Sequence, residues 1–162
     1  MRLILTSYIG EVGLDFSREG VSTKELQIRS FEFVLNAIKA RKKIISLHSR
    51  KAEAEVLDML TTADVHNAIF HWYTGSLKTL DKIINQGHYI SINSAMTQSA
   101  NGKSIINNIP LTNMLTETDS PYISGSSISK VIEVISEQRG IDKNRVASQI
   151  AENFQNLLNT IR

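Results

Sequence analysis

Leu111-Thr112-Asn113-Met114-Leu115-Thr116-Glu117-Thr118-Asp119-Ser120-Pro121-Tyr122 runs from apolar residues into two carboxylates with one residue between them. Pro121 then stops any strand from continuing. The pattern reads as a buried strand with acids at its C-terminal mouth. A buried carboxylate is costly unless paired, hydrogen-bonded or bound to a metal, which makes Glu117 and Asp119 site candidates. The stretch reads equally well as a cap or turn, because Asp119 and Ser120 are ordinary turn residues ahead of a proline.

Four more strands lie upstream. Residues 3–12 form an apolar strand ending in Ile9-Gly10-Glu11-Val12-Gly13-Leu14-Asp15, with Glu11 near its C-terminal end. Ser22 or Thr23 caps a helix to about Arg41 with Leu26, Phe31, Val34, Leu35 and Ile38 as its apolar stripe. Residues 42–50 are a second strand ending at His48, followed by a helix over about 51–63. Residues 67–72 are a third, with His71 near its end, and Thr74-Gly75-Ser76 turns into a helix that Gly87 terminates. Residues 88–93 are the fourth strand; a loop through Met96 then leads to a helix near 101–108, and Pro110 opens the fifth strand. Two helices, about 127–139 and 142–159, close the chain, the second capped by Asp142 with Val146, Ile150, Phe154 and Leu157 or Leu158 inward.

This βα alternation calls for an α/β fold with a parallel sheet, and ligands of such sheets bind at the C-terminal strand ends. Four of the five strands place a metal-capable side chain there: Glu11, His48, His71 and Asp119. One such residue alone would more often be structural; four at equivalent ends point to a site. His66 and His88 stand where strands begin and read as surface or structural residues.

The 162 residues, 41% hydrophobic, suffice for one core, and with no linker or repeat the reading is a single domain over 1–162. Eighteen basic against sixteen acidic side chains give a net charge of only +2, so no strong field advertises nucleic acid or membrane. Without cysteine there is no disulfide framework and no thiolate ligand, so any metal takes His and carboxylate donors. The apolar N-terminus is too short to span a bilayer, and the expected location is cytoplasmic.

The motifs around Glu11, Leu47-His48-Ser49-Arg50, His71-Trp72-Tyr73-Thr74-Gly75-Ser76, Tyr89-Ile90-Ser91-Ile92-Asn93 and Leu115-Thr116-Glu117-Thr118-Asp119-Ser120-Pro121-Tyr122 resemble, in order and spacing, those of the TatD family of metal-dependent hydrolases. The resemblance implies a (β/α)8 TIM barrel of the amidohydrolase type, one or two divalent ions (Mg, Mn or Zn), and nuclease activity on DNA. It implies that Glu11 bridges two metals, that His48 and His71 bind one of them, and that Asp119 binds the other and helps to activate water, which makes Asp119 and Glu11 the catalytic pair. Glu117 would act behind the ligands. Arg50, Gly75 and Ser76 are candidate phosphate contacts, the latter two because free N–H groups at a helix start favour an anion; a plain strand-to-helix turn and a solvated Arg are the competing readings.

The variants His71-Trp72-Tyr73-Thr74-Gly75, Ala95-Met96 and Leu115-Thr116-Glu117-Thr118-Asp119 resemble TatD-like members of Qat-type bacterial anti-phage operons. In the family a His-x-His or His-x-Asp pair lies on the first strand and the glutamate on the fourth. The chain therefore resembles the C-terminal five-eighths of such a barrel, an incomplete one without the first three βα units. The expectation is two open sheet edges, favouring a homo-oligomer or a defence-system partner that completes the barrel, with activity doubtful for this chain alone. A non-catalytic partner subunit and an amidohydrolase-type deacylase are the alternative functions.

Overall fold

Five parallel strands stand side by side in the order in which they occur in the sequence. The computed structural model describes residues 6–39 and 41–162. β1 is Tyr8–Gly13, β2 Ile44–His48, β3 Ile69–His71, β4 Tyr89–Ile92 and β5 Met114–Thr116. The helices are α1 Lys24–Ile38, α2 Glu53–Thr62, α3 Leu77–Asn85, α4 Ser94–Gln98, α5 Ala100–Asn108, α6 Ile128–Arg139 and α7 Lys143–Asn159. The part of the first expected strand over residues 3–5 lies outside the described residues. Among the described residues no helix is long and apolar enough to cross a membrane.

Strand alternation divides the sheet into two faces. Ile9, Ile45, Leu47, Phe70, Ile90 and Met114 belong to one large core with helix residues such as Phe31, Leu57, Ile83 and Ile105. The opposite parity carries Ile44, Ile69, Tyr89 and Leu115, which pack with Leu157, Leu158 and Ile161 at the end of α7. Further along the strands that inner parity carries Ser46 and Ser91, then His48 and His71. Filling of the inner face near the strand starts by α7 is worth roughly 1.5–3 kcal/mol for a fully buried side chain such as Leu157.

β1 keeps this parity only by a bulge. Ile9 pairs with Ile45 and Val12 with Leu47, so two residues of β1, Gly10 and Glu11, stand opposite the single Ser46. In a regular strand Glu11 would follow Ile9 into the apolar outer core. The extra residue lets Ile9 and Val12 both pack outward and turns Glu11 toward His48.

Several expectations change in detail. Residues 111–113 form a 3₁₀ turn rather than strand, because Asn113 folds back, its amide donating to Pro110 O and its side chain to His88 O. The loop expected through Met96 contains α4, capped by Asn93, whose Oδ1 accepts the Met96 amide. Leu26 is 60% exposed: it lies about 140° around α1 from Phe31, off the buried stripe of Phe31, Leu35 and Ile38. Phe154 is half-exposed, at the open side of a cavity of about 510 Å³ between the inner face and helices α6 and α7.

β5, like β1, is an edge strand with one strand neighbour among the described residues, and its open side is capped in part. The Glu117 amide bonds Ile92 O, which turns the backbone groups of Met114, three residues away, to the outer edge. There Asn153 of α7, almost fully buried, donates to Met114 O at 2.8 Å and to Leu111 O at 2.7 Å. A helix side chain thus satisfies a carbonyl that a neighbouring strand would otherwise pair.

Candidate metal centre

The C-terminal ends of the strands gather Glu11, His48, His71, Glu117 and Asp119 on the inner face. Glu11 Oε1 stands 2.8 Å from His48 Nδ1 and 3.9 Å from His71 Nε2. His71 Nε2 lies 3.4 Å from Asp119 Oδ1. Glu11, His48, His71 and Asp119 line one cavity of about 520 Å³, together with Ser49, Thr74 and the more exposed Arg50, Trp72 and Tyr122.

Local structure explains each placement. The bulge aims Glu11; Gly13, just beyond it, has φ +142° and sits so close to β2 that a Cβ would meet His48 O at 2.0 Å. His48 and His71 end their strands on the inner parity. Asp119 lies past the end of β5 in a left-handed conformation, φ +51°, which Asp tolerates better than most residues. Trp72 takes the same region, φ +41°, and its indole meets the His71 ring edge-on.

Glu117 does not open onto the cavity mouth. Its Oε2 accepts from His71 Nδ1 at 2.6 Å and from the Ser91 hydroxyl, and its Oε1 accepts from Asn93 Nδ2 at 3.0 Å. Glu117 thereby fixes the His71 ring with Nε2 toward Glu11 and Asp119. Burial alone would lower the His71 pKa, but the Glu117 hydrogen bond and the charges of Glu117, Glu11 and Asp119 outweigh it and raise it. His48 has a corresponding partner that the sequence reading missed: its Nε2 lies 3.0 Å from Asp15 Oδ2. Burial pushes the Asp15 pKa up, yet Ser17, whose amide donates to Oδ1 at 2.8 Å, and His48 together leave it lowered. Ser91 and Asn93 were also missed as functional residues, although their alternation on β4 follows the parity of His71.

The donor set suits a divalent ion. Carboxylate and imidazole groups without thiolate are ordinary ligands of Mg²⁺, Mn²⁺ or Zn²⁺. Neighbouring ligands at about 2.1 Å from one ion stand about 3–3.5 Å apart, close to the His71–Asp119 spacing. As the chain is folded here, hydrogen bonds join these donors in pairs. Among the described residues no group of three His, Asp or Glu closes around one point. The donor chemistry therefore fits a metal, and binding one requires these side chains to leave their paired hydrogen bonds.

The expected phosphate contacts are distributed differently. Arg50 lines the mouth, with Nη1 3.5 Å from Glu19 Oε2. Ser76 caps α3, its Oγ accepting the Thr79 amide, while Thr74 is the member of that turn that lines the cavity. At Gly75 an added Cβ would strike the Tyr73 ring and hydroxyl, so this glycine serves internal packing. His88 is buried and accepts the Ala68 amide, whereas His66 is exposed and bonds Asp64; both stand apart from the cavity.

The profile of the family described as TatD related DNase matches residues 5–159. An uncharacterized metal-dependent hydrolase of Buchnera aphidicola is 32% identical over 166 aligned positions, covering 93% of this chain and 62% of the relative. The 3'-5' ssDNA/RNA exonuclease TatD of Edwardsiella piscicida is 32% identical over 120, covering 71% of this chain and 46% of the relative. The solved structure of YJJV, a TatD homolog of Escherichia coli K12, superposes with a TM-score of 0.80 at 24% identity, covering 91% of this chain and 62% of that one. This chain spans about three-fifths or less of the length of the curated relatives it matches.

Proposed function

The chain belongs to the TatD related DNase family, and on that premise we propose that it carries a metal-dependent phosphodiester hydrolase site acting on DNA. The observation that carries the reading is the convergence of Glu11, His48, His71 and Asp119 on one cavity. A divalent ion bound there would polarise a phosphoryl oxygen and supply hydroxide near neutral pH. The rest is the work of this chain's residues. His71 is held by Glu117 with its free nitrogen toward Asp119, and Asp119 is placed to accept a proton from an attacking water. Arg50 gives the mouth a cation for a phosphate. Trp72 and Tyr122, exposed at the same mouth, offer faces on which unstacked bases can lie, which favours single-stranded substrate. The name of the Edwardsiella relative, an exonuclease on single-stranded DNA and RNA, supports that preference.

The variant motifs at 71–75, 95–96 and 115–119 support a place in Qat-type anti-phage defence. β1 pairs on one side with β2 and, among the described residues, with no other strand, which supports a second copy or a partner protein that adds to this edge. A defence role of that type implies a cytoplasmic location. The test is cleavage of end-labelled single-stranded DNA with Mg²⁺ or Mn²⁺, by the chain alone and with its operon partners. Activity abolished by His71→Ala and Asp119→Asn is expected. Cleavage that survives both substitutions, or that needs no metal, overturns the reading.

A further inference from the structure

Thr74 lines the cavity that holds Glu11, His48, His71 and Asp119, and it does so with its hydroxyl proton already committed. Thr74 Oγ1 donates to Glu53 Oε1 at 3.2 Å. A hydroxyl has one proton and two lone pairs, while a carboxylate has lone pairs only, so Thr74 is the donor of this pair. What Oγ1 keeps for a further partner is acceptor capacity alone. We propose that Thr74, its proton drawn off by Glu53, is a specificity residue that accepts a hydrogen bond from the terminal 3′-hydroxyl of a DNA strand and disfavours an end that cannot donate.

The arrangement is held from several sides. Glu53 is buried and stands in the first turn of α2, where the helix dipole favours a negative charge. Asn101 Nδ2 donates to Thr74 O at 3.0 Å, and the Tyr73 hydroxyl donates to Ser76 O at 2.7 Å. Gly75 lies so close that an added Cβ would stand 3.0 Å from Glu53 Cδ. The Thr74 hydroxyl therefore cannot turn its proton to the cavity without taking a donor from a buried carboxylate. A DNA phosphate has no proton to give at neutral pH and would meet both the Thr74 lone pairs and the charge of Glu53 behind them. Of the two ends of a strand, the 3′ end carries a free hydroxyl and the 5′ end a phosphate. A cavity of about 520 Å³ is of a size to enclose one terminal nucleotide.

This recognition rests on the DNA-hydrolase reading, and the test measures binding and cleavage separately. Fluorescence anisotropy in EDTA compares 5′-labelled single strands that end in a 3′-hydroxyl, 3′-hydrogen, 3′-fluoro or 3′-phosphate group. The hydroxyl end should bind about 3- to 10-fold more tightly than the hydrogen and fluoro ends, one smaller and one of similar size, neither a donor. Thr74→Ser should keep that preference and Thr74→Val should erase it. In Glu53→Ala the hydroxyl is free to donate and the charge is gone, so the 3′-phosphate end should gain on the 3′-hydroxyl end. A ratio between ends within one variant does not depend on how much of the chain is folded. A wild-type chain that binds the hydroxyl, hydrogen and fluoro ends alike, or binds no strand, overturns the proposal, as does a preference that survives Thr74→Val. The expected ranking in a chain that cuts nothing with Mn²⁺ would leave the recognition standing and remove the hydrolase reading. Cleavage by a chain indifferent to the end would do the reverse.

Discussion

Glu117 and His71 are joined at 2.6 Å through the ring nitrogen that faces away from Asp119. Three donors, from His71, Ser91 and Asn93, converge on the two Glu117 oxygens. Glu117→Gln sets an NH₂ against the Asn93 donor or, turned over, against both His71 and Ser91, and either way removes the negative charge that holds the His71 ring, so the ring loosens without losing a ligand. Mn²⁺ titration should show an affinity loss of about 10-fold, smaller than the loss in Asp119→Asn. Equal losses would make Glu117 a ligand in its own right.

Asn153→Ala removes two buried hydrogen bonds and leaves Met114 O and Leu111 O facing a void. The cost should be about 2–3 kcal/mol, read as a lower urea midpoint. If β5 needs this cap to remain monomeric, light scattering of the variant will also show larger species.

Gly13→Ala puts a methyl group 2.0 Å from His48 O, a carbonyl already bonded to the Leu14 amide. β1 must move away from β2, and a residue other than glycine must hold φ +142°. A loss of about 2 kcal/mol or more is expected, together with displaced His48 ring signals in the NMR spectrum.

His88 is held down to a pKa of about 4, by burial first and then by the nearby His66. The unfolded chain takes up a proton there near the ordinary value of 6.5, so between 6.5 and 4 it binds a proton that the folded chain refuses. This contribution is fully present above pH 6.5 and is lost as pH falls toward 4, by about 3 kcal/mol at most. His88→Gln should be less stable than the wild type at pH 7.5, and the gap should narrow at pH 4.5. Denaturation at the two pH values measures it; a gap that does not change with pH would mean His88 is not held neutral.

Much of the site was legible because it lies on strand ends, where period-2 alternation and the punctuation by Gly and Pro mark position. His48, His71 and Glu117 could be assigned to one face by counting. Asp15 could not, because it lies past Gly13, where the chain has left the strand and only tertiary structure brings it back to His48. Nor could the role of α7: its apolar stripe foretold burial, but nothing in that periodicity says that Asn153 meets a strand edge or that Leu157 sits against Ile44. The short β5 was misjudged because Leu111 and Thr112 suit a strand, and the turn depends on a bond from Asn113 to His88 O, just ahead of β4.

The bulge at Gly10 and Glu11 makes the reading frame of β1 a chemical variable. Deleting a single residue between Ile9 and Val12 would repair the ladder with β2 and make a more regular sheet. Deleting Glu11 would remove the carboxylate, whereas deleting Gly10 would keep it on the inner parity but set it squarely opposite Ser46, without the bulge that turns it toward His48. A scan by substitution treats each position separately and is blind to this. Insertions and deletions at the bulge are the changes to which the metal centre should be most sensitive, since there the number of residues, more than their identity, decides whether Glu11 faces His48.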